Sequence, residues 1–372
     1  MRQTLVISFC FAVLTNLVNA QSADSTLHSA VLQFTWLPQN SGTKASLRGI
    51  SAVDDEVAWA SGTQSTFVRT IDGGKNWKAD SIAGASALDF RDVEAFDANT
   101  AILMSAGNGA LSRIYKTTDG GKNWKLCFQN SIAEGFFDGM AFWDEKNGIV
   151  FGDPIDSRLF IMTTTDGGET WKRVPPENIP PVFAKEYAFA ASGTSIAVQG
   201  MGHVWIGTGG EAARVFRSAD RGNTWTVTET PLISGNESSG IFSLVFKDER
   251  YGVAVGGNYK NPDDATANVA QTFDGGKSWS PVLDSQPSGY RSCVAYAAGS
   301  LLPIFVAVGP TGSDFSVSTS EGLYWINFSG EGYHTLSASK RTHSVWAAGA
   351  DGRIAKLNND FASNLPGQSS KK

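Results

Sequence analysis

Cysteine, histidine and charge are all scarce in this chain. Its 372 residues include 3 Cys and 4 His. No Cys-x-x-Cys occurs, and His28, His203, His334 and His343 fall at no metal-ligand spacing. A zinc or haem centre therefore has nothing to build on, and neither a metal nor a cofactor is expected. Charged residues make up 18% of the chain, the net charge is −6, and no long basic run occurs. That argues against a nucleic-acid partner held through its phosphates. Helix-length apolar faces are few, yet 41% of the residues are hydrophobic. Such a chain can bury a large core, which excludes disorder as its main state.

Glycine and tryptophan are abundant instead, at 40 and 11 residues. With low charge, this composition points to a turn-rich all-β protein. A long apolar run stands at the N terminus, from Leu5 to Val18 behind Arg2, and ends in Val18-Asn19-Ala20. It reads as a secretory signal over residues 1–20, with small residues where a signal peptidase cuts. The run is short for a membrane span and broken by polar residues, so no span is expected after cleavage. The expected location is secreted or periplasmic. Cys127 and Cys293 remain in the mature chain. They fall on distant repeats and are expected as two free, buried thiols.

One repeat accounts for most of the sequence. Thr70-Ile-Asp-Gly-Gly-Lys-Asn-Trp77 returns as Thr117–Trp124, Thr164–Trp171, Ser218–Trp225 and Thr272–Trp279. A sixth copy, Ser318–Trp325, has lost its acid. The aspartates Asp72, Asp119, Asp166, Asp220 and Asp274 are spaced by 47, 47, 54 and 54 residues. This period suits a four-stranded propeller blade. The acid can bond the backbone of the turn behind it, and the glycines supply positive φ. The closing Trp77, Trp124, Trp171, Trp225, Trp279 and Trp325 then begin the next strand and pack over the turn.

Alternating segments that end in Gly precede these turns and recur seven times, at 57–62, 101–107, 148–152, 204–207, 252–256, 305–309 and 345–349. They predict a seven-bladed β-propeller over residues 21–361, followed by a polar, disordered tail at 362–372. The seventh blade ends early, and Val31–Trp36 is a spare strand at the other end of the chain. It is expected to complete that blade from outside and close the ring.

The turns resemble the Asp boxes, or BNR repeats, of sialidases and many secreted propellers. Over residues 30–357 the chain is similar to secreted proteins of the photosystem II stability and assembly-factor type. That resemblance implies a seven-bladed propeller acting as an assembly or chaperone factor, binding a client through a basic patch on the top face. Arg48, Arg91 and Arg291 are the local equivalents by position, not by a shared motif.

The Asp-box turns should lie on the bottom of the ring, and the irregular loops on the top, where function usually sits. Aligning the starts of the inner strands brings Arg48, Arg91, Arg291 and His334 to the mouth of the central channel. Asp138 and Glu186 fall on the opposite arc, with Phe137, Tyr187, Tyr290 and Tyr333 alongside. Two readings stay open. The arginines form an anion or carboxylate pocket, or they pair internally with Asp92, Glu94 and Asp138. The expected partner is a protein client or an anionic carbohydrate. The binding or assembly role competes with a carbohydrate-active enzyme, a glycoside hydrolase or lyase acting on an acidic sugar. Such an enzyme would draw its two carboxyl groups from Asp138, Asp153, Asp156 and Glu186. The sialidase likeness is confined to the turns and carries over no catalytic residue.

Overall fold

The computed structural model describes residues 34–358, apart from 284, 299–302, 319–322 and 343. The expected signal, the polar tail and Ser320 of the degraded repeat lie outside the described residues. Among the described residues the strands form seven antiparallel sheets. Their inner strands are Leu47–Ala52, Asp89–Ala95, Phe137–Phe142, Ile196–Gln199, Ser239–Phe246, Cys293–Ala297 and Thr335–Ala338, which define blades 1 to 7. Each inner strand touches the next, and the seventh touches the first. The chain is an all-β, seven-bladed propeller.

Burial explains the strand pattern. The second strands are largely buried, and Ala101–Ala106 (AILMSA) is buried at every position, because neighbouring blades cover both faces. The fourth strands lie outermost and are largely exposed. Lys78, Lys125 and Lys172 open three of them and guard their free edges.

The repeated turn is held by its own side chains. Thr70 Oγ1 donates to Asp72 Oδ1 (2.9 Å) and accepts the Gly74 N–H (2.9 Å). Asp72 accepts the N–H and the side-chain amide of Asn76. The same set recurs around Asp119, Asp166, Asp220 and Asp274. A second turn motif, not anticipated from the repeat, joins first to second strands on the same face. There Asp54, Asp97, Asp144 and Asp248 each accept two backbone N–H groups.

Side chains also tie blade to blade around the axis. Asp92 takes the Met140 N–H, Ser243 the Val294 N–H and Cys293 Sγ the Leu336 N–H. One turn lower, Ser51 takes the Ala95 N–H and Ser337 the Ala52 N–H. Both thiols are free. Cys293 is buried, as expected, whereas Cys127 is only half-buried because it sits on an outer strand.

The N-terminal strand does close the ring. It spans Thr35–Asn40 and pairs antiparallel with Arg353–Asn358. This is further along than the expected 31–36, of which 31–33 lie outside the described residues. Pro38 is no obstacle, because an outermost strand has a free edge for it. Phe34 and Trp36 are buried in the seam with blade 6. Trp36 Nε1 donates to Ser313 Oγ (2.9 Å), and Phe34 packs 4.4 Å from Phe315.

Blade 4 differs from the expected layout. Its inner strand is Ile196–Gln199, ten residues beyond the Glu186 start that the alignment predicts. Glu186–Tyr187 pairs instead with Gly209–Gly210, and this small ladder extends the blade 5 sheet. The intervening segment crosses the axis. Ala190 O accepts from Arg91, Ser192 Oγ donates to Ser292 O, and Thr335 Oγ1 donates to Ser192 O. Thr194 O accepts the Leu244 N–H. Gly193 has φ +73°, and a Cβ there would stand 2.5 Å from the Asp92 carboxyl, so the crossing requires glycine. This segment separates a top mouth from a lower cavity.

Candidate functional site

The mouth is built by a repeated irregularity. Pairing shifts by one residue between Leu47 and Gly49, Phe90 and Asp92, Phe137 and Gly139, and Ile241 and Ser243. The extra residues are Arg48, Arg91, Asp138 and Phe242. A bulge re-aims the side chain it inserts, here at the top of the inner strands of blades 1, 2, 3 and 5. His334 follows Tyr333 at the corresponding place in blade 7.

Three of the four expected cationic residues meet here. Arg48 is half-buried; burial, then the nearby charge of Arg91, pulls its pKa below the usual value. Its Nε is buried and has no partner among the described residues. Arg91 Nε pairs with Asp89 Oδ2 at 2.6 Å. His334 Nδ1 donates to Leu47 O (3.1 Å). Burial, then Arg48, lowers its pKa to about 4, so it is neutral at pH 7.

Arg291 does not join them. It occupies the core position that Leu47, Phe137 and Ile241 fill in other blades, with Gly309 set against it as Gly62, Gly152 and Gly256 are against theirs. It is fully buried and pairs with Asp314 at 2.5 Å. Register decides this: the alignment of blade 6 is one residue out. Asp314 is buried within the third strand of that blade. Tyr333 likewise takes the core position, and its hydroxyl donates to Glu331 (2.9 Å). Tyr290 is buried beside Phe242, ring centroids 4.7 Å apart, and burial pushes its phenol far up.

The acids divide in the same way. Glu186 is buried in an ion pair with Arg214 (2.5 Å), also accepting from Thr208 Oγ1, and lies off the mouth arc. Asp156 is exposed in a two-residue hairpin turn with φ +52°. Asp138 and Asp153 remain together on the first two strands of blade 3. Asp138 is 1% exposed and its Oδ2 has no partner among the described residues. Burial, then the charge of Asp153, raises its pKa well above the carboxylate range, against the pull of Arg91. Burial raises Asp153 to about 6, opposed by a hydrogen bond from the Ala188 N–H. Internal pairing of the arginines is real for Arg91 and Arg291, but their partners are Asp89 and Asp314, not Asp92, Glu94 or Asp138.

An aromatic platform borders the mouth. Phe189 stacks on Phe242 at 3.9 Å, with Tyr187 5.6 Å and Tyr259 6.4 Å from Phe189. Tyr187 donates to Glu237 O (2.6 Å), and Tyr259 is 45% exposed. Only Tyr187 and Tyr290 were legible as mouth residues. Tyr259 arrives on the long 257–264 loop, which is the sequence signal that could have placed it.

These features define a propeller with an elaborated top mouth. The family model described as photosynthesis system II assembly factor YCF48 matches residues 28–130, which run through the closing strand and the first two blades. The likeness to that family, suggested by the repeats, is thus found by direct comparison. Among solved structures, the Pan2 WD40 domain of Neurospora crassa is 13% identical, with 88% of this chain and 95% of that chain covered and a TM-score of 0.60. U3-55K is 11% identical over 87% and 98%, with a TM-score of 0.59. YCF48 bound to D1 peptide is 16% identical over 87% and 97%, with a TM-score of 0.41. At these identities the first two show the fold alone, and the third score is too low to add to it. No curated protein matches the chain.

Proposed function

We propose that this chain is a secreted or periplasmic scaffold that binds a protein client at its top mouth. The observation that carries this reading is unmet polar capacity. Arg48 Nε, Asp89 Oδ1 and Asp138 Oδ2 are buried and unpartnered among the described residues. Their residues sit on neighbouring inner strands beside an aromatic platform. Buried polar atoms without partners are rare and costly, and a bound ligand is one way to satisfy them. Arg48 offers a planar fork and Tyr259 a large amphipathic surface, both frequent anchors at interfaces. The partial match to an assembly-factor family supports a protein client.

The test is selection of binding peptides from a displayed library, followed by affinity measurement on the Arg48→Ala/Tyr259→Ala double variant. The expected result is at least a tenfold loss of affinity with little change in Tm. Selected peptides that bind the variant as well as the wild type would remove the mouth as the site. A second reading, hydrolysis or elimination on an acidic sugar, rests on Asp138 and Asp153 as paired carboxyls of different pKa. Glycan-array binding and product analysis with Asp138→Asn and Asp153→Asn test it. Turnover abolished in either variant would favour the enzyme.

A further inference from the structure

Below the 190–194 crossing lies a cavity of about 550 Å³, lined by the lower halves of all seven inner strands and opening on the bottom face. Nothing in the top-mouth reading uses it. The inner strands present equivalent residues to it in rings. Two residues below the level of Asp92, Ser243 and Cys293, blades 7 and 1 contribute Ser337 and Ser51, and blades 4 and 5 contribute Ala197 and Val245. Blade 2 contributes Glu94, a carboxyl in a ring otherwise made of hydroxyl and aliphatic side chains.

Glu94 is inside the channel, yet no hydrogen bond or ion pair reaches its carboxyl among the described residues. Burial raises its pKa, and the charge of Lys340 at the rim opposes this without pairing with it. Ser51 and Ser337 have each accepted one backbone N–H, which leaves each hydroxyl oxygen a second lone pair for a further donor. The arc across from them is apolar. One side of the cavity therefore wants a donor or positive charge, and the other wants an aliphatic surface.

We propose that this axial cavity is a second binding site, for a small primary aliphatic amine whose ammonium group pairs with Glu94 and whose stem lies against Ala197 and Val245. The inference is independent of the client at the top mouth.

Calorimetric titration of the full chain with 1-aminopentane, 1-pentanol and pentanoate tests it. In the wild type the amine should bind at least tenfold more tightly than the alcohol, and pentanoate should not bind. In Glu94→Gln the amine's advantage over the alcohol should vanish, while thermal melts show the variant folded and no less stable. Absence of amine binding in the wild type would overturn the proposal, as would equal affinity for amine and alcohol. An amine preference that survives in Glu94→Gln would overturn it as well.

Discussion

The Asp92 carboxyl accepts the backbone N–H of Met140 at 2.8 Å, and so bonds blade 2 to blade 3 across the wall of the channel. An inner strand is a sheet edge, and those of its N–H groups that face the axis have no partner within their own blade. Asp92, Ser243 and Cys293 answer this at one level, and Ser51 and Ser337 at the next. Asp92 also accepts the Val93 N–H and packs against Gly193 of the crossing segment.

Removing this acceptor strands two buried donors. Asp92→Ala should destabilise the fold by about 2–3 kcal/mol. Burial pushes the Asp92 pKa well up, against the hydrogen bond from the Met140 N–H. Asp92→Asn keeps one of the two accepting oxygens, strands one donor instead of two, and should cost about 1–2 kcal/mol. Urea unfolding of both variants checks the order. Equal losses would mean that the charge, not the acceptor, matters.

Arg291 and Arg48 look interchangeable in sequence and should behave in opposite ways. Arg291→Met leaves Asp314 buried without its cation and should cost about 3–5 kcal/mol. Arg48→Met removes a half-buried guanidinium with no ion pair among the described residues, and should change stability by about 1 kcal/mol or less, in either direction. Denaturant melts of the two at matched concentration separate them. A large loss in Arg48→Met would make that residue a structural tie instead of a free anchor.

The contrast shows how far the sequence could be read. Turns repeat because each blade solves the same local problem, so Asp72 to Asp274 reveal the period and the face they occupy, and the seven Gly-ended strands reveal the blade count. The bulge residues Arg48, Arg91 and Asp138 were also legible, since they follow a core residue at the same offset in each blade. A single residue of register, however, separates the channel from the core. That is why Arg291 was misplaced: a charged residue rarely takes a core position, and only a buried acid on another strand makes it tolerable. Glu186 failed for a different reason. The crossing segment is an insertion present in one blade, and no repeat can announce what occurs once.

Asp153 supplies a pH prediction. Its folded pKa of about 6 lies above the unfolded value, so in the ionised form it works against the fold. That cost is complete above pH 6 and fades as the folded carboxyl takes up its proton on acidification. The groups facing it are Asp138, itself raised, and the Ala188 N–H. Asp153→Asn should therefore melt above the wild type at pH 7.5, with the gap roughly halved at pH 5 and closed at about pH 4, the unfolded value. A gap that stays constant with pH would show that Asp153 is not protonated in that range.

The turn aspartates carry the opposite sign. Asp119 and Asp166 are held down to about 2, the first chiefly by the Asn123 backbone N–H and the second by the Thr170 hydroxyl. A depressed carboxyl stabilises the fold above its unfolded pKa, and that stabilisation is lost as pH falls through the folded pKa. Asp166→Asn should thus melt below the wild type at pH 7, because an amide oxygen replaces a charged acceptor of three hydrogen bonds. The difference should hold down to about pH 4 and narrow towards about pH 2, where the wild-type carboxyl also becomes neutral. Thermal melts of the two proteins across pH 7 to 2 decide it. If the gap persists unchanged at pH 2, the turn is held by shape and not by the carboxylate charge. The repeated acid would then be needed for its geometry alone.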